Sequence, residues 1–290
     1  MPRVLIAGCG YVGAATADLF HAARWEVEGW THSAESAAQL AEKPYAVRAV
    51  DISAADATQA AASSFDAVIH CASSGGGGAE SYRRVYLEGA RNLLAELRPR
   101  TFLYTSSTSV YAQTGGEWVD EESAAEPTHE SGRILRETEE VVRQSGGVIT
   151  RLAGIYGPGR SALLRKFLSG EARIEGDGGR FINQVHRDDI AAALVFLVNL
   201  PNEQAPGGSI FNVVDDQPIT QRACYEWLAA KLGHPLPPTR AAPGSGKRGM
   251  SNKRVSNRKL RALGWELKFP TFSVGMENSV LPAAADAAEF

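Results

Sequence analysis

A glycine-rich segment near the start of the chain has the spacing of a phosphate-binding turn. It follows a short apolar run, Val4–Ala7, and glycines occupy its first, third and sixth positions. In such a turn the first glycine permits a tight bend, the second lets the backbone approach a pyrophosphate, and the third lets a helix pack closely on the strand. Main-chain N–H groups at the start of that helix then face the anion. The segment predicts a dinucleotide site made of Gly8, Cys9, Gly10, Tyr11, Val12 and Gly13.

The end of the second predicted strand, Val27–Trp30, bears on which nicotinamide dinucleotide such a site accepts. NAD sites usually place a carboxylate there, which binds the ribose 2′-OH. Here the strand is followed by Thr31, His32 and Ser33, and Glu28 lies too early, inside the strand. These three side chains can donate hydrogen bonds to a 2′-phosphate, so the sequence favours NADP over NAD. The alternatives are NAD itself and a His32 that is only an exposed turn residue.

A parallel sheet is needed to position these residues, and the sequence predicts one. Through the first half of the chain, short apolar or β-branched runs alternate with helical patterns, which is typical of βαβ units. We expect an α/β fold: a doubly wound parallel Rossmann sheet with a smaller C-terminal substrate-binding lobe. The Rossmann domain is predicted over residues 1–154 and 182–214, and the lobe over residues 155–181 and 215–290. Ligands of such sheets bind beyond the carboxyl ends of the strands.

Composition narrows the class of partner. The net charge is −3, and the longest mostly apolar run, Ile190–Leu200, has 11 residues, which is too few to span a bilayer. Cys9, Cys71 and Cys224 lack the spacing of a metal or redox site, which favours a reducing compartment. We therefore predict a soluble cytoplasmic protein that acts on a small molecule, with no nucleic acid, membrane or metal partner.

Nine short blocks, spread over essentially the whole chain, carry a family resemblance. They are Gly8–Gly13, Asp51-Ile52, Asp66–Ala72, Gly89–Leu94, Thr105–Tyr111, Arg151–Gly159, Val185–Ala191, Phe211–Asp215 and Asn252–Trp265. In this order and spacing they resemble the extended short-chain dehydrogenases/reductases, the NAD-dependent epimerase/dehydratase family. The variants present here look most similar to an atypical bacterial subgroup often called YeeZ-like.

The resemblance implies further roles for single residues. Asp51 and Ile52 would flank the adenine, and a second group would line the ribose and nicotinamide side of the cofactor. Ser107, four residues before Tyr111, matches the catalytic Ser/Thr of the family. The second group consists of Cys71, Ala72 and Ser73.

The sequence departs from the family at its catalytic Tyr and Lys, which normally stand one helix turn apart. The matching positions are Ser131 and Leu135, and no Tyr or Lys occurs anywhere from residue 112 to residue 150. The candidate substitutes are Tyr156 and His186. A histidine has a suitable unperturbed pKa for proton transfer. For both residues a structural role is the alternative. Further candidates are His129, Glu130 and Arg133, which are close in sequence to the missing tyrosine, and Tyr111, which lies in a motif near the expected cleft.

Three functions are therefore compatible with the sequence. The first is an NAD(P)-dependent oxidoreductase or epimerase with a non-standard proton donor. The second is a non-catalytic dinucleotide-binding redox sensor or regulatory protein, and the third is a lyase or isomerase that does not use hydride. Seven basic residues between Lys247 and Arg261 suggest a clamp on an anionic substrate, or else a solvated basic surface. Relatives often dimerise through the helices predicted here over residues 82–97 and 132–144, and we expect a monomer or a homodimer.

Overall fold

The computed structural model describes residues 1–241 and 251–288, with side chains up to residue 285. Its strands are β1 Arg3–Ala7, β2 Glu26–Thr31, β3 Ala46–Ala49, β4 Ala67–His70, β5 Thr101–Ser107, β6 Glu117–Val119, β7 Val148–Leu152, β8 Gly154–Tyr156, β9 Ile174–Glu175, β10 Phe181–Ile182, β11 Gln184–His186, β12 Ile210–Val213, β13 Ile219–Thr220, β14 Thr239–Arg240 and β15 Lys253–Val255. Its α-helices are α1 Tyr11–Ala22, α2 Ala34–Ala38, α3 Ala55–Ala61, α4 Ala79–Tyr82, α5 Gly89–Leu97, α6 Glu130–Gln144, α7 Ala162–Leu168, α8 Arg187–Asn199, α9 Gln221–Leu232, α10 Arg258–Ala262, α11 Phe272–Gly275 and α12 Leu281–Ala288.

Seven of the strands form one parallel sheet in the order β12-β7-β5-β4-β1-β2-β3. The chain starts in β1, moves outward to β3 and then crosses back to β4, so the strand order reverses between β1 and β4. Val4, Leu5 and Ile6 of β1 are fully buried, as expected for a strand covered on both faces. The predicted α/β doubly wound fold is confirmed.

The chain folds into two compact units. Unit 1 comprises Met1–Val110, Ala125–Arg151 and Ile190–Phe211, and unit 2 comprises Tyr111–Ala124, Leu152–Asp189 and Asn212–Phe290. These bounds differ from the predicted domains mainly because residues 111–124 and 182–189 belong to unit 2. The assignment of a cofactor domain and a substrate lobe stays a prediction.

Unit 2 has its own apolar core. Tyr156, Leu164, Phe167 and Leu228 pack there with the start of a helix that runs from Phe272 to Ala288. This helix contains a π-helical stretch, Met276–Val280, and the sequence analysis did not predict it.

The two helical segments of unit 1 for which a dimer contact is predicted lie beside each other within the chain. α4 and α5 join through a π-helical stretch, Arg83–Glu88, and Glu137 of α6 accepts hydrogen bonds from Arg83 (3.2 Å) and Arg91 (3.4 Å). Whether a second copy packs on this pair stays a prediction. No helix of residues 1–241 or 251–288 is both long and apolar enough to cross a lipid bilayer.

Candidate functional site

Each of the three glycines in the turn after β1 has the surroundings expected of its position in a phosphate-binding turn. Gly8 has a φ of +101°, and a Cβ atom there would lie 2.2 Å from the backbone nitrogen of Ala72. A Cβ atom on Gly13 would lie 2.2 Å from the carbonyl oxygen of Gly8. A Cβ atom on Gly10 would meet no atom of the described residues within 4 Å. The first and third glycines are therefore required for packing, whereas the second leaves open space in front of the backbone.

The turn lies at the point where the strand order reverses. β1 pairs with β2 on one side and with β4 on the other, so the glycine turn and the residues after β4 meet at one edge of the sheet. The N–H groups of Gly8 and Cys9 donate to the Trp30 carbonyl at 3.0 and 2.7 Å. The first turn of α1 contains no acidic residue and receives no side-chain cap from the described residues. A helix start of this kind favours a bound anion.

The two cysteines of the predicted site hold this turn in place. Cys9 is buried, and its Sγ atom occupies the space that a side chain on Gly29 would fill. The Cys71 thiol donates to the carbonyl oxygen of Gly8 at 3.3 Å. Burial raises the pKa of Cys9 to about 11 and raises the pKa of Cys71 as well. Both thiols are thus neutral near pH 7.

Of Thr31, which ends β2, and the two residues that follow it, Thr31 and Ser33 already have side-chain hydrogen bonds within the chain. The buried Thr31 hydroxyl donates to the Ser33 carbonyl at 3.1 Å, and the Ser33 hydroxyl accepts from the N–H of Ser36, capping α2. The His32 ring is 75% exposed, with Nδ1 3.7 Å from the Asp51 carboxylate. Of these three side chains, His32 is therefore the one best placed to meet a 2′-phosphate.

The predicted adenine and ribose residues also lie in unit 1. Burial would raise the pKa of Asp51, but hydrogen bonds from Ser53 and the nearby His32 and Arg84 lower it overall, so the carboxylate is ionised. Ile52 is buried. Ser73 is exposed, and its hydroxyl accepts from the N–H of Gly75 at 3.3 Å. Asp51, an acceptor at this position, suits the hydroxyl and amino groups of a nucleoside.

Helix α6 carries Ser131 and Leu135, the positions that the resemblance matches to the Tyr and Lys of the family. Ser131 is half-buried with its hydroxyl 3.0 Å from Nδ1 of His129, and Leu135 is buried. One turn later Glu139 is buried and accepts hydrogen bonds from Arg151 at 3.1 and 2.8 Å. This face of α6 anchors the helix to the sheet by an ion pair, and at the position predicted for the tyrosine it carries a serine hydroxyl.

The three predicted catalytic residues fall into two groups. Ser107 ends β5 in unit 1, and its half-buried hydroxyl accepts from the N–H of Ser109 at 3.1 Å. Tyr156 and His186 lie in unit 2, opposite each other on β8 and β11, with ring centroids 5.3 Å apart. Both are buried, and the Tyr156 hydroxyl donates to the Thr271 carbonyl at 3.4 Å. Burial raises the pKa of Tyr156, so its phenol stays protonated.

The buried His186 has a defined tautomer. Its Nδ1 accepts from the N–H of Asp188 at 3.2 Å, which leaves the proton on Nε2, where it donates to the Ser279 hydroxyl at 3.0 Å. Burial lowers the pKa of His186 to about 4, although Asp188 acts in the opposite sense. The ring is thus neutral at pH 7. This placement favours the structural alternative for both rings, and their catalytic role stays a prediction.

Among the other candidates, Tyr111 is buried and donates to Asn212 at 2.9 Å. Of the seven basic residues between positions 247 and 261, Lys247 and Arg248 lie outside the described residues. Arg258 and Lys259 are exposed, as a solvated surface would be. Lys253 is buried, and the sequence analysis did not single it out, because an alternating strand pattern is hard to see in a three-residue strand.

The fold and the turn at its switch point define a dinucleotide-binding class of α/β protein. The model of the NAD dependent epimerase/dehydratase family matches residues 4–213, and the chain belongs to that family. This confirms the family that the nine sequence blocks indicated. Membership of the YeeZ-like subgroup stays a prediction.

Solved structures resemble the chain over nearly its full length. A Methylobacillus flagellatus protein, provisionally named an NAD-dependent epimerase/dehydratase, is 27% identical over 98% of this chain and 99% of its own, with a TM-score of 0.78. A conserved Silicibacter pomeroyi protein of unknown function is 25% identical over 99% of both chains, with a TM-score of 0.75. The Thermus thermophilus UDP-glucose 4-epimerase in complex with NAD is 21% identical over 97% of this chain and 99% of its own, with a TM-score of 0.78. No curated protein matches the sequence.

Proposed function

We propose that the chain binds NAD(P) at the glycine turn and is an NAD(P)-dependent oxidoreductase or epimerase with a non-standard proton donor. The observation that carries this proposal is the different space around the three glycines. Gly8 and Gly13 have no room for a side chain, whereas Gly10 faces open space. The Thermus thermophilus relative, which has the same fold, was solved with NAD.

The N–H groups at the start of α1, after Gly10, would hold the pyrophosphate. Asp51 and Ile52 would flank the adenosine, and residues 71–73 would line the ribose and the nicotinamide. When bound, the nicotinamide accepts or donates the hydride, so the chain's own residues need only bind, orient and handle a proton.

NADP is proposed as the preferred form. The exposed His32 supports this, since its Nε2 can donate to a 2′-phosphate and no carboxylate ends β2. The hydroxyls of Thr31 and Ser33 already form local hydrogen bonds, so the proposed preference for NADP depends on the side chain of His32. Replacing His32 with Ala should weaken NADPH binding several-fold and leave NADH binding unchanged, which a calorimetric titration of both would detect.

Ser107 is the proposed hydrogen-bond donor to the substrate oxygen. Proton transfer by Tyr156 or His186 is a separate proposal for unit 2, and the burial of both rings counts against it. A second function, dinucleotide sensing without turnover, is favoured by the absence of the Tyr/Lys pair and by the burial of Tyr156 and His186. The two are separated by incubating protein and NADPH with a panel of carbonyl compounds and sugar nucleotides. Loss of NADPH absorbance or epimer formation that falls with Ser107→Ala supports the enzyme. Tight NADPH binding with no conversion in the whole panel supports the sensor.

A further inference from the structure

Ser131 and His129 form a hydrogen-bonded pair at the start of α6. The Ser131 hydroxyl lies 3.0 Å from Nδ1 of His129, and the N–H of Gly132 donates to the same nitrogen at 2.9 Å. An Nδ1 atom that accepts from a backbone N–H carries no proton, so the neutral ring has its proton on Nε2. The Ser131 hydroxyl is therefore the donor in this pair, and its proton points at the lone pair of a base.

The ring of His129 is held in place by the backbone around it. His129 is the N-cap residue of α6, with extended backbone (φ −101°, ψ 152°). A Cβ atom on Gly132 would lie 2.8 Å from Cε1 of the ring and 2.5 Å from Cβ of Pro127. The glycine thus leaves the space that the ring occupies. Both members of the pair are half-buried, so the pair is fixed within the protein and still reachable from solvent.

Capping alone does not require a histidine. Serine, threonine, aspartate and asparagine are the side chains that usually cap a helix in this way. Four other helices of the described residues are capped by a hydroxyl side chain, from Ser33, Ser161, Thr220 and Thr271. Compared with a hydroxyl, an imidazole adds a lone pair that takes up a proton near neutral pH. The choice of His129 at this N-cap therefore points to proton transfer with Ser131.

The pair belongs to the same unit as Ser107, the proposed donor to the substrate oxygen. Residues 1–110 and 125–151 are both parts of unit 1. Helix α6 packs on β5 and on the turn Thr108–Val110, which directly follows Ser107. The neighbouring Ser106 hydroxyl donates to Glu139 of α6 at 2.6 Å. The helix that carries Ser131 is thus bound to the strand end that carries Ser107.

We infer that Ser131 and His129 are the acid–base pair of the proposed reaction, with Ser131 in contact with a substrate hydroxyl and His129 as the proton acceptor behind it. This inference rests on the proposed function. A hydroxyl within hydrogen-bond reach of a base, with the base oriented by a third group, is the arrangement that activates a serine. The third group here is the Gly132 N–H.

The pair moves one proton in each direction of the reaction. When an alcohol is oxidised, its hydroxyl proton passes to Oγ of Ser131 while the Ser131 proton passes to Nδ1 of His129. The serine stays neutral, and the ring becomes an imidazolium. The hydride of the same carbon goes to the oxidised nicotinamide, which is the chemistry that the cofactor supplies when bound. In the reverse direction the imidazolium returns its proton through Ser131 to the carbonyl oxygen.

The test measures proton transfer within the pair without a substrate, using phenylmethanesulfonyl fluoride on the full-length protein. Oγ of Ser131 attacks the sulfur, fluoride leaves and the hydroxyl proton passes to His129, which gives a sulfonate ester on Ser131. Tandem mass spectrometry follows the rate at each serine. Ser131 should react at least about a hundredfold faster than the exposed Ser63, as general-base catalysis predicts. This comparison within the native protein needs no variant.

His129→Asn is the matched variant. An asparagine still caps the helix, but its amide oxygen is not a base. The midpoint of urea unfolding should therefore stay unchanged, whereas the modification of Ser131 should slow at least about a hundredfold. A residue that only caps the helix would leave the modification rate as it is. Ser131→Ala should abolish the modification at this position, which confirms where the reagent reacts.

Two results overturn the inference: Ser131 reacts no faster than Ser63, or it reacts at the same rate in His129→Asn. An NADPH titration of the same samples reports on the proposed function separately. Fast modification of Ser131 without NADPH binding would contradict the proposed function and leave the activated serine standing. NADPH binding with an unreactive Ser131 would overturn the acid–base pair and leave the cofactor site standing.

Discussion

A Cβ atom built on Gly8 would lie 2.2 Å from the backbone nitrogen of Ala72, across the switch point of the sheet. The turn after β1 and the turn after β4 therefore touch through backbone atoms alone. This contact fixes the start of α1 against the residues that would line the ribose. It also explains why positive φ and lack of a side chain are both needed at position 8.

Replacing Gly8 with Ala should destabilise the protein by about 3 kcal/mol, since backbone atoms cannot move aside as a flexible side chain can. Urea unfolding measures this directly. Gly10→Ala is the matched control, because its backbone has a φ of −102° and its Cβ meets open space. Equal stabilities of the two variants would contradict the geometry of the turn.

His186 should stay neutral well below pH 7 and keep its proton on Nε2. The pKa of about 4 and the two hydrogen bonds from Asp188 and to Ser279 lead to this expectation. Nitrogen NMR shifts of the ring between pH 5 and 8 check it. A ring that titrates near pH 6.5, or that carries its proton on Nδ1, would restore His186 as a solvent-accessible acid or base.

Tyr156 and Gly275 should be coupled in stability. A Cβ atom on Gly275 would lie 2.0 Å from the Tyr156 hydroxyl oxygen, so Gly275→Ala should cost about 2–3 kcal/mol. Tyr156→Phe alone loses one long hydrogen bond and should cost less than about 1 kcal/mol. In the double variant the closest contact is gone, so part of the loss should be recovered. Additive costs in a double-mutant cycle would show that the two side chains do not meet.

Asp215 should make the protein less stable as pH rises from about 5 to 8. Burial raises the pKa of Asp215 to about 8, against which the Gln217 N–H acts only partly. In this window the folded carboxyl keeps a proton that the unfolded one has released, so the folded state binds more protons. The free energy of unfolding of the native protein, relative to Asp215→Asn, should therefore fall by up to about 1.4 kcal/mol per pH unit. A difference that rises with pH would contradict the assignment.

The parts of the fold that depend on local pattern could be predicted from the sequence. The strand before Gly8 and the helix after it could be predicted, because the apolar run and the glycine spacing are both short patterns in the local sequence. The burial of Tyr156 and His186 could not be predicted, since it depends on packing against the helix after Phe272, far away in the sequence. The burial of Lys253 could not be predicted for the same reason, since it depends on the tertiary structure. Thr31 and Ser33 looked available as donors because their partners are backbone groups, which a sequence pattern does not reveal.

The central claim is that the open face of Gly10 receives a dinucleotide. The most direct measurement is a calorimetric titration of NADPH and NADH into the ligand-free protein and into Gly10→Val, a variant whose Cβ atom meets no atom of the described residues within 4 Å. The account predicts binding to the native protein with NADPH favoured, and at least about a tenfold weaker affinity for both cofactors in Gly10→Val at unchanged stability. Absence of binding to the native protein, or equal affinities for native protein and variant, would contradict it.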